Sequence, residues 1–144
     1  MERPYEFGPR SELFAVEIVA FCRAVAERGV ILRRLACQLV DAGTSLGANL
    51  AESGGGQSKR DFIAKTYVAW KEARETRFWL RVIGRSEPPM QNQARVLEAE
   101  ATEFVKMLAT SLKTAQSRDE RRPRERRRSK GERRVKDEPG SKDQ

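Results

Sequence analysis

Apolar residues recur three and four positions apart in four successive stretches of the chain, the period of one face of an α-helix. Ser11 is placed to cap the first stretch, whose stripe is Leu13, Phe14, Ile18, Phe21 and Val25, and Gly29, just after Arg28, predicts its stop. The second runs from Val30 to Glu52 with Leu32, Leu35, Leu39, Ala42, Leu46 and Leu50 in register. Ser53–Gly56, "SGGG", ends it, because glycine loses the most backbone freedom on entering a helix. Ser58 opens the third, and Asp61, three positions on, makes a carboxylate form of the capping box. Phe62, Ala69, Ala73, Thr76, Leu80 and Ile83 form its main stripe. Ile63, Tyr67, Trp70 and Phe78 form a broader shoulder. Gly84 and the Pro88-Pro89 pair predict its end. The fourth runs from Met90 to Ala115 with Leu97, Ala101, Phe104, Leu108 and Leu112.

No segment alternates apolar and polar residues for long, and no Asn-Gly or Asp-Gly hairpin turn occurs. Short connections favour antiparallel neighbours. The predicted fold is therefore all-α, an antiparallel up-down-up-down four-helix bundle over residues 11–117, behind an N-terminal extension 1–10. The second helix also carries a small-residue face, Ala36, Gly43, Gly47 and Ala51. Each interior glycine costs roughly 1 kcal/mol relative to alanine. Close approach of a bulky neighbour within the bundle would offset that.

Composition divides the chain. Residues 118–144 carry 12 basic and 7 acidic side chains but one apolar residue, Val135, so most of the net charge of +8 belongs to a segment without a core. That segment reads as a disordered basic tail. With no histidine and two cysteines, the chain lacks the residues for Ser-His-Asp or Cys-His activation and for four-thiolate metal sites. No catalytic residue, metal ligand or cofactor is expected. No apolar run is long enough to span a bilayer and the N-terminus has no apolar signal core. We read the chain as cytoplasmic, with no membrane partner and with Cys22 and Cys37 reduced.

Three features are candidates for chemistry. Thr44, Ser45, Asn49 and Glu52 interrupt the second helix, and Glu72 and Glu75 are neighbours on the third. As buried polar groups they would set helix register through hydrogen bonds, whereas a carboxylate metal site would need Glu52, Glu72 and Glu75 to converge. Arg77, Arg81 and Arg85 repeat every four residues beside Phe78 and Trp79, a stripe fit for phosphates or for another subunit. Arg121, Arg122, Arg124, Arg126, Arg127, Arg128, Lys130, Arg133 and Arg134 of the tail suit phosphate contacts without base reading, because no aromatic residue lies among them. The turn "SGGGQSK" does not match a phosphate-binding loop and joins two helices.

The stretch Gln38–Phe62, "QLVDAGTSLGANLAESGGGQSKRDF", resembles the bacterial four-helix-bundle proteins encoded in 23S rRNA intervening sequences, the S23-type family. Thr44, Ser45, Leu46, Asn49, Leu50, Ala51 and Glu52 fill the first half of its pattern, and Ser58, Asp61 and Phe62 the second. "AWKEARETRFWLRVI", Ala69–Ile83, is similar to the family's third helix. Glu52-Ser53 stands where the family usually has Glu-Gly, and the Arg-rich tail is not a family feature. The resemblance implies a homo-oligomer, commonly a pentameric ring, without catalytic residues. It also implies kinship with accessory proteins of diversity-generating retroelements, which work with a reverse transcriptase and RNA. Two functions remain open at this point. One is a non-enzymatic oligomeric bundle binding nucleic acid, RNA above all, or a nucleoprotein partner. The other is a protein-interaction adaptor docking through the aromatic–Arg face of helix three, with the tail only solubilising it.

Overall fold

The computed structural model describes residues 7–55 and 58–134, with backbone alone for Asp119 and for 122–134. Four α-helices follow one another: α1 Phe7–Ala26, α2 Val30–Gly54, α3 Lys59–Ser86 and α4 Gln91–Arg134. A single 3₁₀ turn, Pro88–Met90, precedes α4, and no strand occurs among the described residues. The chain divides into a unit ending at Leu112 and a second beginning at Lys113, slightly before the change of composition at Arg118.

Local chemistry accounts for most of the element ends. Gly29, at φ 136, makes the turn from α1 to α2 in a backbone region that side chains disfavour. The Ser58 hydroxyl accepts from the Asp61 N–H at 3.1 Å and caps α3. The first helix departs from expectation: it begins at Phe7, inside what was read as an extension, and Ser11 is no cap. Phe7 is buried, and Pro9 fits the first turn because its missing N–H would have had no helical partner there. Ser11 is buried one turn in and donates to the Gly8 carbonyl at 2.9 Å. Ser53, placed in the break, instead lies in the last turn of α2, where its hydroxyl donates to the Leu50 carbonyl.

The core fills the unit ending at Leu112. It joins Phe14, Ile18 and Phe21 of α1, Leu39 and Leu46 of α2, Leu80 and Ile83 of α3, and Phe104 and Leu108 of α4. Leu13, assigned to the core stripe, is 60 % exposed. The true stripe is Phe7, Ser11, Phe14, Ile18, Phe21 and Val25, which keeps the three-and-four spacing and turns Leu13 outward. Contacts between helices run antiparallel around the bundle. Ile18 meets Gly43 and Ser11 meets Gly47 between α1 and α2. Glu52 pairs with Lys65 between α2 and α3, at 2.5 Å. Gly84 lies against Ala94 between α3 and α4. Phe14 packs on Phe104 at 5.4 Å between rings, and Arg10 forks onto Glu100 at 2.6 and 3.0 Å, closing α4 on α1. At one end Arg28, after α1, pairs with Glu87, after α3, at 2.7 Å.

In the second unit, α4 carries helical backbone to Arg134 rather than ending near Ala115. Arg, Glu and Lys make up most of this stretch and favour helix by their own propensity, against Pro123 and Gly131, which do not. Of the segment 118–144 that composition reads as disordered, 118–134 take this helical backbone and 135–144 lie outside the described residues.

Candidate nucleic-acid interface

The buried stripe of α3 runs through Thr66, Ala69, Ala73, Thr76, Leu80 and Ile83, and Trp70 and Trp79 pack partly against the core, which leaves Tyr67, Phe78 and several cations on the outer face. There Tyr67, Lys71, Arg74, Phe78, Arg81 and Arg85 follow one another every three or four residues along one line of the helix. Phe78 is 55 % and Tyr67 49 % exposed. Lys71, Arg74, Glu75, Arg77, Phe78 and Arg81 line a shallow groove of about 390 Å³, in which four cations face one carboxylate.

Contacts within α3 and with α4 hold several of these groups in place. The Arg74 guanidinium lies 4.8 Å from the centre of the Trp70 ring, and Lys71 Nζ lies 6.0 Å from that of Tyr67. Trp79 Nε1 donates to Glu75 at 3.2 Å, which occupies the one acid of the groove, and its ring meets Phe78 edge-on at 5.0 Å. Arg81 Nε donates to Glu98 of α4 at 2.5 Å. Arg77 and Arg85 meet no carboxylate among the described residues. A second shallow cleft, lined in part by Arg81, Arg85 and Arg95, extends the cationic surface toward the start of α4.

The structure therefore places Arg77, Arg81 and Arg85 on the outside of the bundle, as their spacing suggested, but in unequal settings. Arg77 is half-buried at the groove, Arg81 is tied to Glu98, and Arg85 is exposed. Strict four-residue spacing overlooked Lys71 and Arg95. An alternating four-and-three spacing from Tyr67 to Arg85 would have found Lys71. Arg95 lies on another helix and is brought near only by the packing of α3 on α4.

The polar motif residues bond chiefly within their own helices. Thr44 Oγ1 donates to the Val40 carbonyl at 2.7 Å and Asn49 Nδ2 to the Ser45 carbonyl at 2.8 Å. Ser45 thus takes part through its backbone. Thr76, fully buried, donates to the Glu72 carbonyl at 2.7 Å. Glu52 makes the link between helices, through Lys65. A donor in a helix interior reaches the carbonyl one turn back more easily than a neighbouring helix, which explains the local pattern.

The three carboxylates considered for a metal do not come together. Glu52 is held at Lys65, Glu75 at Trp79, and Glu72 lies at the level of Asp41. Burial, followed by the nearby charge of Glu75, raises the Glu72 carboxyl above its ordinary pKa, with Lys71 opposing and Asp41 adding to the rise. Among the described residues no group of three or more acidic or thiol side chains is arranged as metal ligands.

Of the tail cations, Arg121 is exposed on α4. The side chains of Arg122, Arg124, Arg126, Arg127, Arg128, Lys130, Arg133 and Arg134 lie outside the described residues. Among the described residues no helix is long and apolar enough to cross a membrane.

Comparison with known proteins adds a family to this geometry. The family model for the 23S rRNA-intervening sequence protein matches residues 7–110, the whole of the bundle save its last turn. A crystal structure of a protein of unknown function from the S23 ribosomal protein family of Bacteroides thetaiotaomicron VPI-5482 is 32% identical, with a TM-score of 0.69. That match covers 76% of this chain and 97% of the other. No curated protein matches.

Proposed function

The chain belongs to the 23S rRNA-intervening sequence protein family, and from that premise we propose that it is a non-enzymatic, self-associating helical bundle that binds RNA through its phosphates. The observation that carries this reading is the groove on α3, where Lys71, Arg74, Arg77 and Arg81 face a single carboxylate already engaged by Trp79. Arg81 is matched by Glu98, but Lys71, Arg74 and Arg77 outnumber the acid of the groove, and polyanion binding relieves their mutual repulsion while releasing the counterions of the nucleic acid. Arginine adds bidentate geometry toward phosphate oxygens. The Arg-rich segment from Arg121 to Arg134 adds sequence-independent affinity in the same way.

Self-association has its own support. Leu13, Val16 and Val96 are each at least 60 % exposed, and Leu13 and Val96 line a groove of about 470 Å³ between α1 and α4, rimmed by Glu17 and Glu103. Apolar side chains kept in water at such a groove favour a covering surface. In a ring of subunits, of which the pentamer is the form the family resemblance implies, phosphate contacts of several subunits combine through effective concentration.

Titration of the full chain with fluorescently labelled structured RNA at two salt concentrations tests the proposal. Binding should weaken steeply with salt, and it should fall when Lys71 and Arg77 are replaced by glutamate or when residues 118–144 are removed. No binding at about physiological salt would overturn it. A shallow salt slope would point to the adaptor role for the α3 face. Light scattering reads the assembly directly, and a monomer at tens of micromolar would remove the self-association from the proposal.

A further inference from the structure

The exposed aromatic rings of α3 are not explained by phosphate binding, which needs only the cations. Phe78 lines the cationic groove with more than half of its surface in water, between Arg74 and Arg81 on its own line of the helix. Tyr67 lies three turns away on that line, about 16 Å along the axis, with Lys71 beside it. A helix facing plain solvent gains nothing by presenting phenyl and phenol rings there, on the side nearly opposite the buried stripe of Thr66, Ala69, Ala73, Thr76, Leu80 and Ile83.

Resting on the RNA-binding reading above, we infer that the α3 face selects single-stranded RNA, stacking unpaired bases on Phe78 and Tyr67 while Lys71, Arg74, Arg77 and Arg81 hold the adjoining phosphates. The argument is one of complementary chemistry. The face offers cations interspersed with two half-exposed rings, Phe78 edge-on to Trp79 and Tyr67 5.7 Å from Trp70, and a single strand offers phosphates interspersed with base faces. A duplex offers the phosphates alone, since its base faces are stacked inside, and the major groove of an RNA helix is too narrow for side chains to read. Arg74 is already seated on Trp70, so one cation of the groove that Phe78 lines is pre-positioned rather than freely rotating. Stacking tolerates every base, so the inference predicts preference for unpaired strands without strong sequence preference.

Fluorescence anisotropy with the full chain tests this, using a labelled mixed-sequence single strand of RNA and the blunt duplex formed with its complement. The single strand is expected to bind about tenfold more tightly than the duplex, and Phe78→Ala to remove about tenfold of single-strand affinity while leaving duplex binding unchanged. Tyr67→Ala should act in the same direction, and Phe78→Trp should retain binding, because tryptophan keeps a stacking surface. Both rings are half in solvent, so the variants should keep the helical circular dichroism and melting of the parent. The tail is present in every variant, so its contribution cancels between parent and variant on the same RNA, and repeating the strand and duplex titrations without residues 118–144 removes it from that comparison. Equal affinity for strand and duplex, or an unchanged Phe78→Ala, overturns the inference. If Lys71→Glu with Arg77→Glu still abolishes binding in that case, the RNA-binding reading stands without it. If no RNA binds the parent chain, both fall.

Discussion

Ile18 of α1 stands so close to Gly43 of α2 that a Cβ on Gly43 would lie 2.8 Å from Ile18 Cγ2. Ile18 is fully buried and cannot swing away. Four residues on, the same test at Gly47 meets its nearest atom, the Ser11 carbonyl oxygen, at 3.5 Å, an ordinary contact. The two glycines of the small-residue face therefore differ in what they permit. Gly43→Ala gains about 1 kcal/mol of helix propensity but overpacks by about 1–3 kcal/mol, so it should destabilise, and Ile18→Val should rescue part of the loss. Gly47→Ala should stabilise by up to about 1 kcal/mol. Urea unfolding of the three variants and the Gly43→Ala, Ile18→Val pair reads the difference.

The hydroxyl of Thr66 is buried with no hydrogen-bond partner among the described residues. A buried donor left unpaired costs about 1–3 kcal/mol. Thr66→Val keeps the branched shape and removes the polar group, so it should raise stability by about 1 kcal/mol or more. An unchanged or lowered melting temperature would show that the hydroxyl is satisfied.

Glu72 has a raised pKa, chiefly from burial and then from Glu75. A carboxyl whose pKa is higher folded than unfolded favours the fold when protonated. That advantage is lost as pH rises through the carboxylate range, and the charged form is a liability at neutral pH. Glu72→Gln should therefore raise the melting temperature at pH 7. The gain should vanish below about pH 4, where the unfolded carboxyl is itself protonated. Thermal melts across that range check both limbs.

Burial pushes the Cys22 thiol up to about 12, with the neighbouring Cys37 adding to the shift. Cys37 is exposed. A thiol-specific reagent at neutral pH should modify Cys37 rapidly and Cys22 only on unfolding, because the reactive species is the thiolate. The raised value has a further consequence. From about pH 9 upward the unfolded thiol ionises while the folded one does not, so stability should fall between about pH 9 and 12. Cys22→Ser should flatten that fall, in a denaturant series taken at alkaline pH.

The four helices, their order and most of their limits followed from local information. The three-and-four spacing is a backbone property that needs no partner, the Ser58 cap is complete within four residues, and Gly29 fits a φ that other residues avoid. The Thr44–Glu52 motif and the "KEARET" of α3 likewise pointed to the family through residues close together in sequence. Packing decided what spacing could not. Leu13 and Phe14 are neighbours of similar character, and only the position of Phe104 across the bundle puts Phe14 inside and Leu13 out. Ser11 has the chemistry of a cap, yet the burial of Phe7 draws the helix back beyond it. On α3, Tyr67, Trp70 and Phe78 read from their spacing as one shoulder beside the core stripe, and packing splits them, drawing Trp70 partly against the core and leaving Tyr67 and Phe78 outside. Whether a ring is core or surface depends on the volume its neighbours leave, a quantity no single helix contains. That is why the sequence by itself determined the helices, and only the tertiary structure decided which of their faces stays exposed.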